Sequence, residues 1–136
     1  MLKSANLAKE IVVTVVNKIG VLADMSKILA DHGINIEAAA GYSDGDQAKI
    51  MLVTDDNLRA VDALKKKNYN SIVEKEVILL ELENKAGALK NITGTLESEE
   101  IDIKYIYGTT CPMGCPAGVV ISTSDNEKAL VAFKAK

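Results

Sequence analysis

The 136-residue sequence predicts an α+β fold made of two tandem βαββαβ units, the second lacking its last strand. Three observations predict it. The chain repeats itself at a spacing of 67 to 69 residues, apolar residues alternate between short β-branched runs and helix-spaced stretches, and the second copy stops after its second helix. "NKIGVL" at 17–22 returns as "NKAGAL" at 84–89, "GINI" (33–36) as "EIDI" (100–103), Gly41 as Gly108, and "TDDN" (54–57) as "TSDN" (123–126). The domains are accordingly expected at 1–75 and 76–136.

In the first copy, "EIVVTVV" (10–16) is a β-branched run closed by the turn "NKIG". Val21, Leu22, Met25, Ile28 and Leu29 then follow one face of a helix that Gly33 ends. "INIEAAAGY" and "QAKIMLV" read as a hairpin around "SDGD". "TDDNLRAVDALKKK" opens with Asp/Asn capping chemistry and carries Leu58, Val61 and Leu64 on its expected apolar face. A fourth strand near "SIVEKEV" runs almost directly into "VILLELE", the first strand of the second copy. Each copy is thus an antiparallel sheet with two helices on one face. The missing last strand leaves an edge that the N-terminal segment, the junction between copies or a second subunit must cover, and a homodimer is the expected answer.

Composition narrows the function. A 48% hydrophobic, 26% charged chain has a real core, and its net charge of −3 disfavours nucleic acid. One arginine, Arg59, leaves little for phosphate clamping. The start lacks a secretory signal pattern and no apolar run approaches the roughly 18 residues of a membrane span, so a cytoplasmic location with no membrane partner is expected. No nucleophile elbow, phosphate loop or zinc-protease motif occurs, and the single histidine, His32, sits at a helix end where imidazoles commonly meet carbonyls. No enzyme activity and no cofactor are expected.

The loop repeated in both copies carries more information. A helix N-terminus presents unpaired N–H groups at the positive end of its dipole, and a glycine there lets a ligand approach the backbone. An asparagine offers a donor and an acceptor, which suits a ligand bearing both carboxylate and ammonium. The plain structural alternative is that Asn caps the helix and Gly makes the turn.

The βαββαβ order, the "N-x-x-G-x-L" loop and the "G-I-N-I" second strand resemble the ACT domain, a small ferredoxin-like regulatory module, over roughly residues 10–134. Two copies with no catalytic domain are similar to stand-alone tandem ACT proteins. The resemblance implies a small effector, most often an amino acid, bound where two units meet, with conformation or assembly as the output and a regulated enzyme in trans as a possible target. By position it implies contacts from Asn17, Ile19, Gly20, Val21 and Leu22 in the first copy, and from Asn84, Ala86, Gly87, Ala88 and Leu89 in the second. The second-strand counterparts are Asn35 and Ile36, then Asp102 and Ile103, with Tyr105 as a wall for an apolar ligand side chain. Ile19 and Ala86 stand where the family often has proline.

The rival reading starts from "GTTCPMGCPAG" (108–118), which holds both cysteines, Cys111 and Cys115. Aligned on the repeat, it is the hairpin of the second copy lengthened by two residues. Reduced thiols are expected there. A reversible disulfide, or a four-cysteine metal site shared across a dimer, are the alternatives.

Overall fold

The computed structural model describes residues 2–135. The chain runs β1 (Leu2–Val16), α1 (Val21–Asp31), β2 (Ile36–Asp44), β3 (Gln47–Thr54), α2 (Asn57–Lys65), β4 (Ile72–Leu82), α3 (Ala88–Ser98), β5 (Ile103–Thr109), β6 (Ala117–Thr123) and α4 (Asn126–Lys134). It divides into two units, Lys9–Lys75 and Met1–Ala8 together with Glu76–Lys136. Residues 2–8 of the expected first domain therefore belong to the second unit.

In the unit Lys9–Lys75 the strands lie in the order β2-β3-β1-β4. Antiparallel pairing sets Ile11 opposite Leu52 and Val13 opposite Ile50, and β2 pairs with β3 from Ile36–Thr54 to Asp44–Gln47. These alternate positions face α1 and α2, where Met25, Leu29, Ala60 and Leu64 complete one core. Each large aliphatic side chain buried there contributes roughly 1.5–3 kcal/mol. Val12, Met51 and Val53, at the intervening positions, are buried as well, which is why "IVV" (11–13) and "IMLV" (50–53) read as continuous rather than alternating apolar runs, while Val16 at the end of β1 is exposed. Leu58 is not part of the helix face. Asp56 caps α2, and Ala60, Ala63 and Leu64 turn inward, while Leu58 is 83% exposed.

The other unit has the corresponding order β5-β6-β4-β1. Ile78 faces Ile121 and Leu80 faces Val119 across β4 and β6, and Ile92, Leu96 and Phe133 pack on them from α3 and α4. Ala5 is buried in this core and Leu2 packs against it. The strand that the second copy lacks is therefore supplied by the N-terminal half of β1. β1 and β4 are long because each serves both units in turn. The open edge that suggested a second subunit is filled from within the chain.

The repeated "T-x-D-N" motif proves to be a staple at the start of α2 and α4. Asp56 and Asp125 are the caps, accepting from the amides of Arg59 and Lys128 at 3.1 and 3.0 Å. The following asparagine faces the sheet. Asn57 Oδ1 accepts from the amide and hydroxyl of Thr54 while its Nδ2 donates to the Lys9 carbonyl. Asn126 does the same with Thr123 and Glu76.

His32 closes α1: its Nδ1–H donates to the Ile28 carbonyl at 2.8 Å, and Arg59 donates to the His32 carbonyl. Tyr69 donates to Asp24 on α1. Burial first, and the Asp24 carboxylate second, push the Tyr69 phenol up to about 12. No helix among the described residues is long and apolar enough to cross a membrane.

Candidate functional site

The four helices begin in two different ways. α2 and α4 carry aspartate caps, whereas α1 and α3 start from Gly20 and Gly87, both left-handed (φ 93° and 89°), with no side-chain cap. A left-handed residue is what glycine adopts without strain, so this explains the repeated Gly of "N-x-x-G". The amides of Asp24 and Asn91 close the first turns onto the Gly20 and Gly87 carbonyls. The Ala88 amide points back to Lys85, which leaves the Leu89 and Lys90 amides outside the ladder of α3. The asparagines are not the caps. Asn84 Nδ2 donates to Thr110 Oγ1 at 2.9 Å and, more weakly, to the Cys111 carbonyl at 3.4 Å. The Asn17 amide donates to the Asp46 carbonyl at 2.7 Å. In each unit the loop before the helix is thus tied to the following hairpin.

Beneath the Asn84 loop lies a cavity of about 370 Å³, within the range of small-molecule sites. Its apolar wall is made by Leu82, Ala88, Ile106, Ala117 and Val119, with Leu89 at the edge. Its rim is polar: Glu83, Asn84 and Lys85 on one side, Thr109 and Thr110 on the other. Lys85 Nζ stands 2.8 Å from Glu83, and that hydrogen bond with its attached charge holds the Glu83 carboxyl below its ordinary range. Gly108 sits in the wall because β5 and β6 approach closely: a Cβ there would lie 2.6 Å from the Gly118 carbonyl oxygen. At the matching place in the first unit a Cβ on Gly41 would meet the end of the Ile50 side chain at 3.2 Å and the Lys49 carbonyl oxygen at an ordinary contact distance of 3.6 Å.

Of the residues named from the sequence, Asn84, Ala88 and Leu89 line this cavity, with Gly87 as the cap beside them and Ala86 exposed on the loop. Asp102 and Ile103 lie at the other end of β5. Asp102 exchanges hydrogen bonds with Ser124, Ile103 pairs with Thr123, and six residues of extended chain, about 20 Å, separate Ile103 from Thr109. The cause is the crossover: the chain leaves β4, passes along α3 and returns at the far end of the sheet. The loop after β4 therefore meets the finish of β5. Tyr107 borders the cavity and Tyr105 does not. In the first unit, Asn35 is held likewise by Asp55 and Ile36 pairs with Thr54. Val21 is a core residue, Leu22 is half exposed, and Ile19 is fully exposed on the loop.

Missed from the sequence were the end of β4 and its loop (Leu82, Glu83, Lys85), the β5 finish with the residue after it (Ile106, Thr109, Thr110) and the start of β6 (Ala117, Val119). For the residues of the 108–118 hairpin the signal was its two extra residues.

The expectation of two free thiols is not met. Cys111 and Cys115 are joined as a disulfide, their Cα atoms 5.6 Å apart, well within the range such a bond requires. Among the described residues no group of three or more His, Cys, Asp or Glu side chains is placed to hold a metal ion.

The family profile described as "ACT domain" matches residues 9–67, so an ACT domain is found in the first unit. Protein BT0572 from Bacteroides thetaiotaomicron has a similar structure, with TM-score 0.89 and 27% identity over 96% of this chain and 89% of that one. The regulatory subunit of aspartate kinase from Thermus thermophilus, in ligand-free form, gives TM-score 0.70 at 14% identity over 99% and 98% of the two chains. The corresponding subunit from Thermus flavus gives 0.62 at 16% over 98% and 97%. No curated protein matches the chain in sequence. The fold is α+β with an antiparallel sheet and four helices, of the ACT, ferredoxin-like kind.

Proposed function

We propose that the chain is a non-catalytic regulatory protein of two ACT modules, and that the cavity of the second module holds an amino acid with an uncharged aliphatic side chain. The observation that carries this reading is the conjunction at α3: a helix with no side-chain cap opens over an apolar cavity whose rim alone is polar. The ligand carboxylate meets the Leu89 and Lys90 amides, where the helix dipole favours negative charge. Its ammonium meets Glu83 and the Asn84 side-chain oxygen. Its side chain enters among Leu82, Ile106 and Val119, where a charge would have to shed water with no partner.

The second unit is read as a second ACT module because it repeats the strand order, the glycine-capped helix and the asparagine staple of the first. The Thermus proteins of similar fold are regulatory subunits of aspartate kinase, and by analogy the output here is an ordered loop face read by a separate enzyme. Binding shifts the loop toward its ordered form only as far as it favours that form over the open one.

A thermal-shift screen of the common amino acids tests this. Aliphatic amino acids at millimolar concentration raise the melting temperature, and Ala117→Leu, which fills the cavity, abolishes the shift while Ala48→Leu does not. Stabilisation by charged amino acids alone, or by none, contradicts it.

A further inference from the structure

We propose that the Cys111–Cys115 bridge is a reversible redox site that sets the order of the cavity rim, and through it ligand affinity, the second part resting on the reading of the cavity as an effector site. The bridge closes a five-residue ring at the tip of the β5–β6 hairpin, with Gly114 left-handed (φ 80°) and its amide turned to the Cys111 carbonyl. That carbonyl, with the neighbouring Thr110 hydroxyl, is what the Asn84 side chain grips. Asn84 and Thr110 are both rim residues. One side of the rim is therefore anchored to the other through a segment whose geometry the disulfide fixes.

The ring is also built for exchange. Cys115 is exposed while Cys111 is partly covered, so an incoming thiolate reaches Cys115 Sγ more readily. The Cys115 amide donates to Cys111 Sγ at 3.1 Å, placing a donor where negative charge arrives when Cys111 is the leaving group. The reductant is a thiol couple, either one dithiol or two molecules of a monothiol such as glutathione. One of its thiolates bonds to Cys115 Sγ, the Cys111–Cys115 bond breaks, and the electron pair leaves on Cys111, which takes a proton. The second thiol of the reductant then displaces Cys115, which is protonated in turn. Two protein thiols and one disulfide of the reductant result, and that disulfide runs the sequence backwards. With the bond gone, residues 111–115 lose their ring constraint and the Thr110–Cys111 segment no longer presents a fixed pair of acceptors to Asn84.

The test uses the full chain in glutathione buffers of stepped ratio, with thiols trapped by alkylation and hydrogen exchange read on both forms. The bridge is expected to open and close reversibly. Reduction removes exchange protection at residues 84–90 and 108–111, leaves 17–22 unchanged, and weakens binding of L-isoleucine about tenfold, in the usual range of coupling between sites. The double variant Cys111→Ser, Cys115→Ser behaves as the reduced form in every buffer. A chain that never forms the bridge, or one whose rim protection is the same in both forms, overturns the proposal. Protection that switches while neither form binds any amino acid upholds the redox site and sinks the effector reading. Equal binding with no change in protection does the reverse.

Discussion

The side-chain amide of Asn84 stands 2.9 Å from the hydroxyl of Thr110, joining the loop before α3 to the hairpin that follows β5. An exposed hydrogen bond of this kind contributes about 0.5–1.5 kcal/mol, and here its effect falls on the rim of a cavity. Asn84→Ala is expected to weaken aliphatic amino-acid binding by roughly three- to tenfold in calorimetry, and to lower the melting temperature of the free protein by no more than several degrees. Asn17→Ala, at the equivalent place in the first unit, leaves that affinity unchanged. Equal loss from both variants would detach binding from the second unit.

The two matched glycines of β2 and β5 are not equivalent. Gly108→Ala forces a Cβ onto backbone, 2.6 Å from the Gly118 oxygen and 3.0 Å from Val119 Cγ2, so the strands must part. Overpacking of this type costs about 1–3 kcal/mol. Gly41→Ala meets a flexible methyl of Ile50 at 3.2 Å, and its cost is expected to be smaller. Urea unfolding midpoints of the two variants rank them directly.

Asn57 and Asn126 each accept from a threonine amide and hydroxyl and donate to a strand carbonyl. Asn126→Ala leaves those partly buried groups short of partners and is expected to destabilise by about 1–3 kcal/mol. Asn126→Asp keeps the acceptor for Thr123 but sets a carboxylate oxygen against the Glu76 carbonyl. It is therefore no better than alanine, a ranking that denaturation at neutral pH tests and that a simple loss of helix capping does not produce.

Tyr69 sets an alkaline limit. Its phenol titrates near 12 in the folded chain against an ordinary value of 10, because burial and the Asp24 carboxylate both oppose the phenolate. The unfolded chain therefore loses this proton first. The stabilisation is complete below pH 10 and declines as pH rises from 10 towards 12. Ultraviolet titration of the four tyrosines should show one late component, absent in Tyr69→Phe.

Much of this architecture is visible in the amino-acid order. The repeated glycines of "N-x-x-G" read correctly as turn residues at helix starts, and Met25, Leu29 and Leu64 read correctly as core. The N-terminal half of β1 did not, since "LKSANLAK" has no β-branched residue. It is a strand because β4 lies beside it, a tertiary effect that overrides local preference. Leu58 misled because, six residues before Leu64, it lies about 120° round the helix from it and so falls outside the Ala60, Ala63 and Leu64 stripe. The cavity was found from its loop side only. Asn84, Ala88 and Leu89 follow from the motif, but the wall from β5 depends on which end of that strand the crossover brings round. A register shift between Ile103 and Tyr105 then alters which β5 side chains share a face.

The central claim is that an amino acid sits beneath the Asn84 loop, and an NMR titration of the oxidised, amide-labelled protein with L-isoleucine tests it most directly. The account predicts saturable shifts at one site per chain, largest at the amides of Leu89, Lys90 and Thr110, with the amides of Leu22 and Ala23 still. Shifts confined to the first unit, or none at millimolar ligand, would contradict it.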